Sequence, residues 1–311
     1  MQKEFYFDSK PQSDMWDNMW TARTIEQELE ACEIEAPPRE LFLTYLSKED
    51  KIIDAGCGFG KWVIFLHRRS YDILGIDNNE LAISKLKDFN KSLKVQMGDI
   101  LNIQYPDSYF DAYISMGVIE HFEDGPFTAL KEAYRVVKPG GLIFVSVPTV
   151  NIIRKIIRRP FRNIINSIIG SPLIIKSGWR KSKLKAVLAP IVNLLPEKVK
   201  KILLKKQNRY YHFGEYRYSK VELESYLKQT GFEIIKTLPH DFYDSKDHAA
   251  GLFVDFCFLG AWNGVNFRLN PVGKLVSRTL NSISPWIACS SVICVAKSIK
   301  KANSGRTGSL P

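Results

Sequence analysis

Lys51-Ile52-Ile53-Asp54-Ala55-Gly56-Cys57-Gly58-Phe59-Gly60 joins a short apolar run to three alternate glycines. The run reads as a buried strand, and the stretch near 60–70 reads as a helix that follows it. Glycines at such a turn let the backbone bend sharply and let a ligand approach where any side chain would collide. The spacing is GxGxG, not the GxGxxG of dinucleotide binders, which turns the reading away from a dehydrogenase.

The same texture continues downstream. Short apolar runs predict strands at 51–54, 72–77, 93–97, 111–116 and 141–147, and amphipathic runs predict helices near 60–70, 79–90 and 125–137. That alternation is the mark of βαβ units and an α/β fold with a parallel sheet. Lys138-Pro139-Gly140-Gly141 reads as a helix stop followed by a tight turn. A helix at 219–230, closed by Gly231, a strand at 232–238 and a last strand at 291–297 complete the pattern. Residues 1–50 read as a helical cap, with Trp16 and Trp20 on one stripe. The stretch 241–285 reads as an irregular apolar elaboration, and 301–311 as a disordered tail.

The strand ends carry polar residues suited to a ligand. Asp77, with Asn78 beside it, lies seventeen residues after Gly60, where a carboxylate can accept from both hydroxyls of a ribose. The third strand ends in Gly98-Asp99-Ile100, suited to an adenine edge. The fourth ends in Ser115-Met116-Gly117-Val118-Ile119-Glu120-His121. Open α/β sheets bind ligands along this edge.

Together, DAGCGFG at 54–60, Asp77, GDI at 98–100, FDAYIS followed by IEHF, and RVVKPGG resemble a class I S-adenosylmethionine-dependent methyltransferase, of the kind found in ubiquinone and menaquinone biosynthesis. The resemblance covers 40–150 strongly and 212–297 more loosely. It implies a Rossmann-like, seven-stranded, mostly parallel sheet with the last strand antiparallel. It also implies S-adenosylmethionine as cofactor. Asp54, Gly56 and Gly58, with Gly60 completing the loop, would lie against the methionine moiety. Asp77 would hold the ribose, with Asn78 next to it, and Asp99 with Ile100 would hold the adenine. Ser115 completes the expected cofactor shell, and Arg23, on the amino-terminal segment, would meet the methionine carboxylate. His121 and His212 are the candidate bases for a hydroxyl acceptor. Relatives that bind a divalent metal carry Glu, two residues, then Glu-His. Gly117 replaces the first Glu here, so no metal is expected.

Composition sets the remaining bounds. The 311 residues, 45 % apolar and 25 % charged, are those of a globular protein, which excludes collagen, coiled coil and disorder. The longest apolar stretch, 249–262, is short and carries Asp255, so no spanning helix is expected. The amino terminus shows no basic-then-apolar leader, and five scattered cysteines without a CxxC pair fit a reducing, cytoplasmic setting.

Charge is unevenly spread. Of the 44 Lys and Arg, sixteen fall in 151–211 beside a single acidic residue, Glu197, making that segment +15 against −4 for the remainder. Ile, Leu and Val alternate with these cations at helical spacing, so 151–211 reads as a basic amphipathic insertion. Basic amphipathic helices suit the interface of an anionic membrane, here the inner face, better than RNA, which favours interleaved aromatics. The expected acceptor is therefore lipid-linked or amphiphilic. An RNA methyltransferase, a methyltransferase for anionic small molecules and a non-catalytic cofactor-binding scaffold are the alternatives.

Overall fold

The computed structural model describes residues 1–8, 21, 24–34, 36–150, 210–240, 243–244, 248–249, 259–262, 267–269, 271–287 and 289–301. The basic insertion, apart from its last two residues, therefore lies outside the described residues. So do Trp16, Trp20 and Arg23, the tail from 302, and much of the elaboration.

Seven strands form the central sheet. They are β2 (Lys51–Ala55), β3 (Asp72–Asp77), β4 (Lys94–Met97), β5 (Phe110–Met116), β6 (Val137–Pro148), β8 (Phe232–His240) and β13 (Ser291–Ser298), ordered β4-β3-β2-β5-β6-β13-β8. Pairings β3–β4, β2–β3, β2–β5 and β5–β6 are parallel, while β13 runs antiparallel to both β6 and β8. The strand order reverses between β2 and β5, so two chain crossovers part there and leave a crevice at the carboxyl edge.

One face of the sheet carries α1 (Ile25–Ile34), α2 (Ala36–Tyr45), α3 (Lys61–His67) and α4 (Glu80–Phe89). Helix α3 is buried nearly all round, from Trp62 to Leu66, because it is sandwiched between that face and the amino-terminal helices. Phe42 of α2 meets Trp62 and Phe144 edge-on at 5.0 and 5.1 Å. Each such fully buried side chain contributes about 1.5–3 kcal/mol. The other face carries α5 (Phe127–Val136) and α6 (Lys220–Gln229). Helix α6 opens on a full capping box, with Ser219 and Glu222 each satisfying the other's backbone N–H.

Three elements differ from the sequence reading. Residues 2–8 are a strand, β1 (Gln2–Asp8), where a helical cap was expected from residue 1. It pairs antiparallel with β7 (Tyr210–Arg217), the stretch carrying His212. Partners more than two hundred residues apart override the weak local periodicity of either segment. Lys138–Gly141 lies inside β6, not in a free turn. A bulge there opposes Val137 to Phe110 and Leu142 to Ala112, and Gly140 adopts a φ of +74°. The described parts of 241–285 form short ribbons, β9 (Tyr243–Asp244) with β10 (His248–Ala249) and β11 (Leu259–Trp262) with β12 (Phe267–Leu269), followed by α7 (Pro271–Ile283).

The chain leaves the core at Val150 beside the point where β7 returns it. Thr149 Oγ1 donates to the Tyr218 carbonyl at 2.7 Å, and Tyr218 N–H donates to the Pro148 carbonyl at 2.9 Å. No described helix is long and apolar enough to cross a membrane.

Candidate functional site

The β2–α3 loop is held by the strand beside it. Gly56 and Cys57 N–H groups both donate to the Ile76 carbonyl, at 2.8 and 2.9 Å. Gly56, Gly58 and Gly60 all take positive φ, at 82°, 51° and 62°. A Cβ on Gly56 would also come within 2.6 Å of Val118, which projects from the loop after β5. The GxGxG spacing thus encodes both a left-handed backbone and a close contact between two loops.

Asp54 is the penultimate residue of β2 and is 2 % exposed. Burial, and then the neighbouring Asp77, pushes its carboxyl up to about 7, with Lys61 opposing. Asp77 ends β3 and accepts from Gly58 N–H at 2.8 Å and Asn79 N–H at 2.9 Å. Burial raises its pKa, while the backbone donors of Gly58, Asn79 and Asn78 hold it down. A carboxylate has roughly four acceptor directions, so these backbone donors leave room for a ribose hydroxyl. Asn78 is exposed beside it. Asp99 is exposed and pinned through Oδ1 by Leu101 N–H at 2.9 Å, with Ile100 buried next to it. Asp54, Asp77 and the glycine loop therefore come together, with Asp99 and Ile100 one strand further out. This set fits an adenosyl cofactor bearing a positively charged amino-acid end.

Ser115 is the penultimate residue of β5. Strand alternation turns it to the face carrying Tyr113, opposite Asp54, where it is fully buried and its Oγ has no hydrogen-bond partner among the described residues. Arg23 lies outside the described residues, as does the side chain of His212, whose backbone pairs with Tyr6 in the β1–β7 ribbon.

His121 sits in a short 3-10 turn, Ile119–His121, after β5. Its Nδ1–H donates to the Gly214 carbonyl of β7 at 2.8 Å. That bond places the lone pair of the neutral ring on Nε2, 3.8 Å from Glu120, whose carboxylate is buried. Gly117, with φ +78°, is tied to the Ser146 carbonyl at 2.9 Å. Among the described residues no cluster of three or more His, Cys, Asp or Glu could hold a metal.

Sequence reasoning missed several buried polar groups near this edge. Glu215 and Arg217 form an ion pair at 2.8 Å on β7 and are almost fully buried. Ser146 Oγ and His240 Nε2 lie 2.6 Å apart and are also buried. Ser146 left a signal in the sequence: it is the lone polar residue in Leu142–Val147.

Residues 53–145 match the family model described as a methyltransferase domain. A tRNA (carboxymethyluridine(34)-5-O)-methyltransferase of Arabidopsis thaliana is 34 % identical over 36 % of this chain and 27 % of its own length. A ubiquinone biosynthesis O-methyltransferase of Pseudomonas entomophila is 32 % identical over 40 % of this chain and 52 % of its own. The chain thus spans about half or less of these relatives. A solved S-adenosylmethionine-dependent methyltransferase from Methanosarcina mazei shares the fold at 15 % identity, with a TM-score of 0.51 over 84 % of this chain and 98 % of that one. With the glycine loop and two buried carboxylates, residues 53–145 carry a methyltransferase domain similar to those of class I enzymes, which implies S-adenosylmethionine as its cofactor.

Proposed function

We propose that the protein transfers a methyl group to oxygen on a lipid-linked or amphiphilic acceptor, such as a glycolipid, isoprenoid or cell-envelope precursor, at an anionic membrane surface. The observation that carries the lipid reading is the +15 charge of 151–211, interleaved with Ile, Leu and Val. The similarity to a ubiquinone biosynthesis O-methyltransferase, whose name ties it to the making of a quinone, supports the same class of acceptor.

S-adenosylmethionine supplies an electrophilic methyl on a sulfonium. Asp77 would hold the ribose hydroxyls, Asp99 and Ile100 the adenine, and Asp54 with the glycine loop the methionine end. His121 Nε2, its tautomer set by Gly214, is the proposed base. It would take the proton of the acceptor hydroxyl, whose oxygen would receive the methyl group that the cofactor supplies. Alignment does the rest, since a direct displacement needs no covalent intermediate.

A second reading, an RNA acceptor, draws on the similarity to a tRNA methyltransferase. The deciding experiment is metabolite profiling of a strain lacking the gene. The expected result is accumulation of an organic-soluble species lacking one methyl. Undermethylated RNA with an unchanged lipid profile would transfer the assignment to RNA.

A further inference from the structure

Ser146 and His240 are two polar side chains buried where the sheet is otherwise Phe144, Ile293 and Leu238. They lie on the same face as Asp54 and Met116, by alternation from Ile52, Phe144 and Leu238. Both are at the carboxyl edge: Ser146 two residues from the end of β6, and His240 the last residue of β8. In register, Met116 stands opposite Ser146, and Ser146 opposite Ile293, so the pair bridges β6 and the edge strand β8 across β13. At about 4.8 Å per strand, Ser146 lies two spacings, about 10 Å, from the Asp54 strand.

A sheet does not need this pair for stability. Burying a hydroxyl and an imidazole costs free energy even when they bond each other, and an apolar pair of similar shape is nearly neutral by comparison. Ser146 also holds the loop over the glycine turn, through its carbonyl and Gly117. Two polar stations thus bracket one loop: His121 at its far end and Ser146–His240 at its root.

We propose that Ser146–His240 is a positioning pair that hydrogen-bonds a second oxygen of the methyl acceptor, a hydroxyl or carbonyl next to the one methylated. The proposal rests on the O-methylation reading above. The serine hydroxyl can rotate to donate or accept, and His240 fixes which of the two it does. The acceptor class this selects is one with two neighbouring oxygens, such as a diol or catechol head group.

The test uses full-length protein, S-adenosylmethionine labelled in its methyl, and organic and aqueous extracts of the deletion strain as the acceptor source. The double variant Ser146→Ala/His240→Leu should bind S-adenosylhomocysteine within about twofold of wild type, because the cofactor residues Asp54, Asp77 and Asp99 belong to β2, β3 and the turn after β4. It should need about tenfold more extract for half-maximal labelling, with the plateau rate changed far less. Ser146→Thr, which keeps the hydroxyl, should restore saturation at near wild-type extract. Labelling unchanged in the double variant, or lost in step with S-adenosylhomocysteine affinity, overturns the pair's role. If the double variant does not fold, His240→Gln carries the test: a raised half-saturation at unchanged cofactor affinity supports the proposal, and an unchanged one overturns it. Wild-type protein that labels neither extract defeats the O-methylation reading itself, and this proposal with it.

Discussion

Asp54 has a carboxyl whose burial and proximity to Asp77 push it up to about 7, so the apo-protein carries it protonated in mild acid. A folded pKa above the unfolded value means the folded state holds the extra proton between about pH 4 and 7. The stability this contributes is full below the unfolded pKa and is lost as pH rises through 7. Apo-protein stability should therefore fall between pH 4 and 8 by up to roughly 4 kcal/mol from this residue. Asp54→Asn should flatten that part of the profile, as chemical denaturation at several pH values would record. A flat wild-type profile beside an unchanged variant would remove Asp54 as its source. Asp77→Ala should weaken S-adenosylmethionine about tenfold or more, since a charge-assisted acceptor contributes about 1.5–3 kcal/mol. Calorimetry giving unchanged affinity in a folded variant would take Asp77 out of the site. Both aspartates were legible in the sequence because each ends an apolar run, where only a ligand or a cap rewards a carboxylate. The face of Ser115 was not legible, because one step along a strand reverses the face and composition alone does not reveal which face holds the ligand.

Between elements, the contact that matters most is Gly56 under Val118, because it joins the β2–α3 loop to the loop after β5. Gly56→Ala suffers twice, from a left-handed φ and from a Cβ within 2.6 Å of a Val118 methyl. Removing the clash with a second change, Val118→Ala, should recover part of the loss. The residual should be about 1 kcal/mol, the cost of alanine in that backbone region. A double-mutant cycle on melting and on S-adenosylhomocysteine affinity measures this, and strict additivity would show that the two loops do not touch. The βαβ core was legible element by element because its pairings join strands that the hydrophobic period marks out locally. Expected strand 72–77 coincides with β3, and expected helix 79–90 lies within a residue of α4 at each end. The β1–β7 ribbon was not legible. Gln2–Asp8 is stabilised by partners at 210–217, and nothing within either segment announces the other. The same holds for Ser146 and His240, which are ninety-four positions apart and meet only through the order β6-β13-β8.

At the scale of the whole molecule, charge separates a weakly acidic body, −4, from a +15 insertion, 151–211, that leaves the fold after Val150 and runs into β7. That junction sits at the carboxyl edge, next to Ser146 and the β7 residues that meet His121. If the partner is a membrane, vesicle binding should rise steeply with the anionic lipid fraction and fall with salt, as the Debye length drops from about 10 Å at 0.1 M to about 3 Å at 1 M. Each Lys or Arg near the leaflet contributes about 1 kcal/mol, so replacing Arg154, Lys155, Arg158 and Arg159 by Gln should weaken binding by orders of magnitude. Affinity for S-adenosylmethionine should not change, because its site belongs to the strand ends. Replacing Ile156, Ile157, Ile164 and Ile165 by Ser should weaken vesicle binding as well, through lost apolar insertion of about 1.5–3 kcal/mol for each side chain that is fully buried. RNA binding would respond to the arginine and lysine changes and hardly to the isoleucines, since counterion release depends on charge alone. A sedimentation assay with vesicles of graded phosphatidylglycerol content, run beside a filter-binding assay with tRNA, separates the two. Wild-type protein that ignores the anionic vesicles and binds tRNA tightly would end the membrane reading.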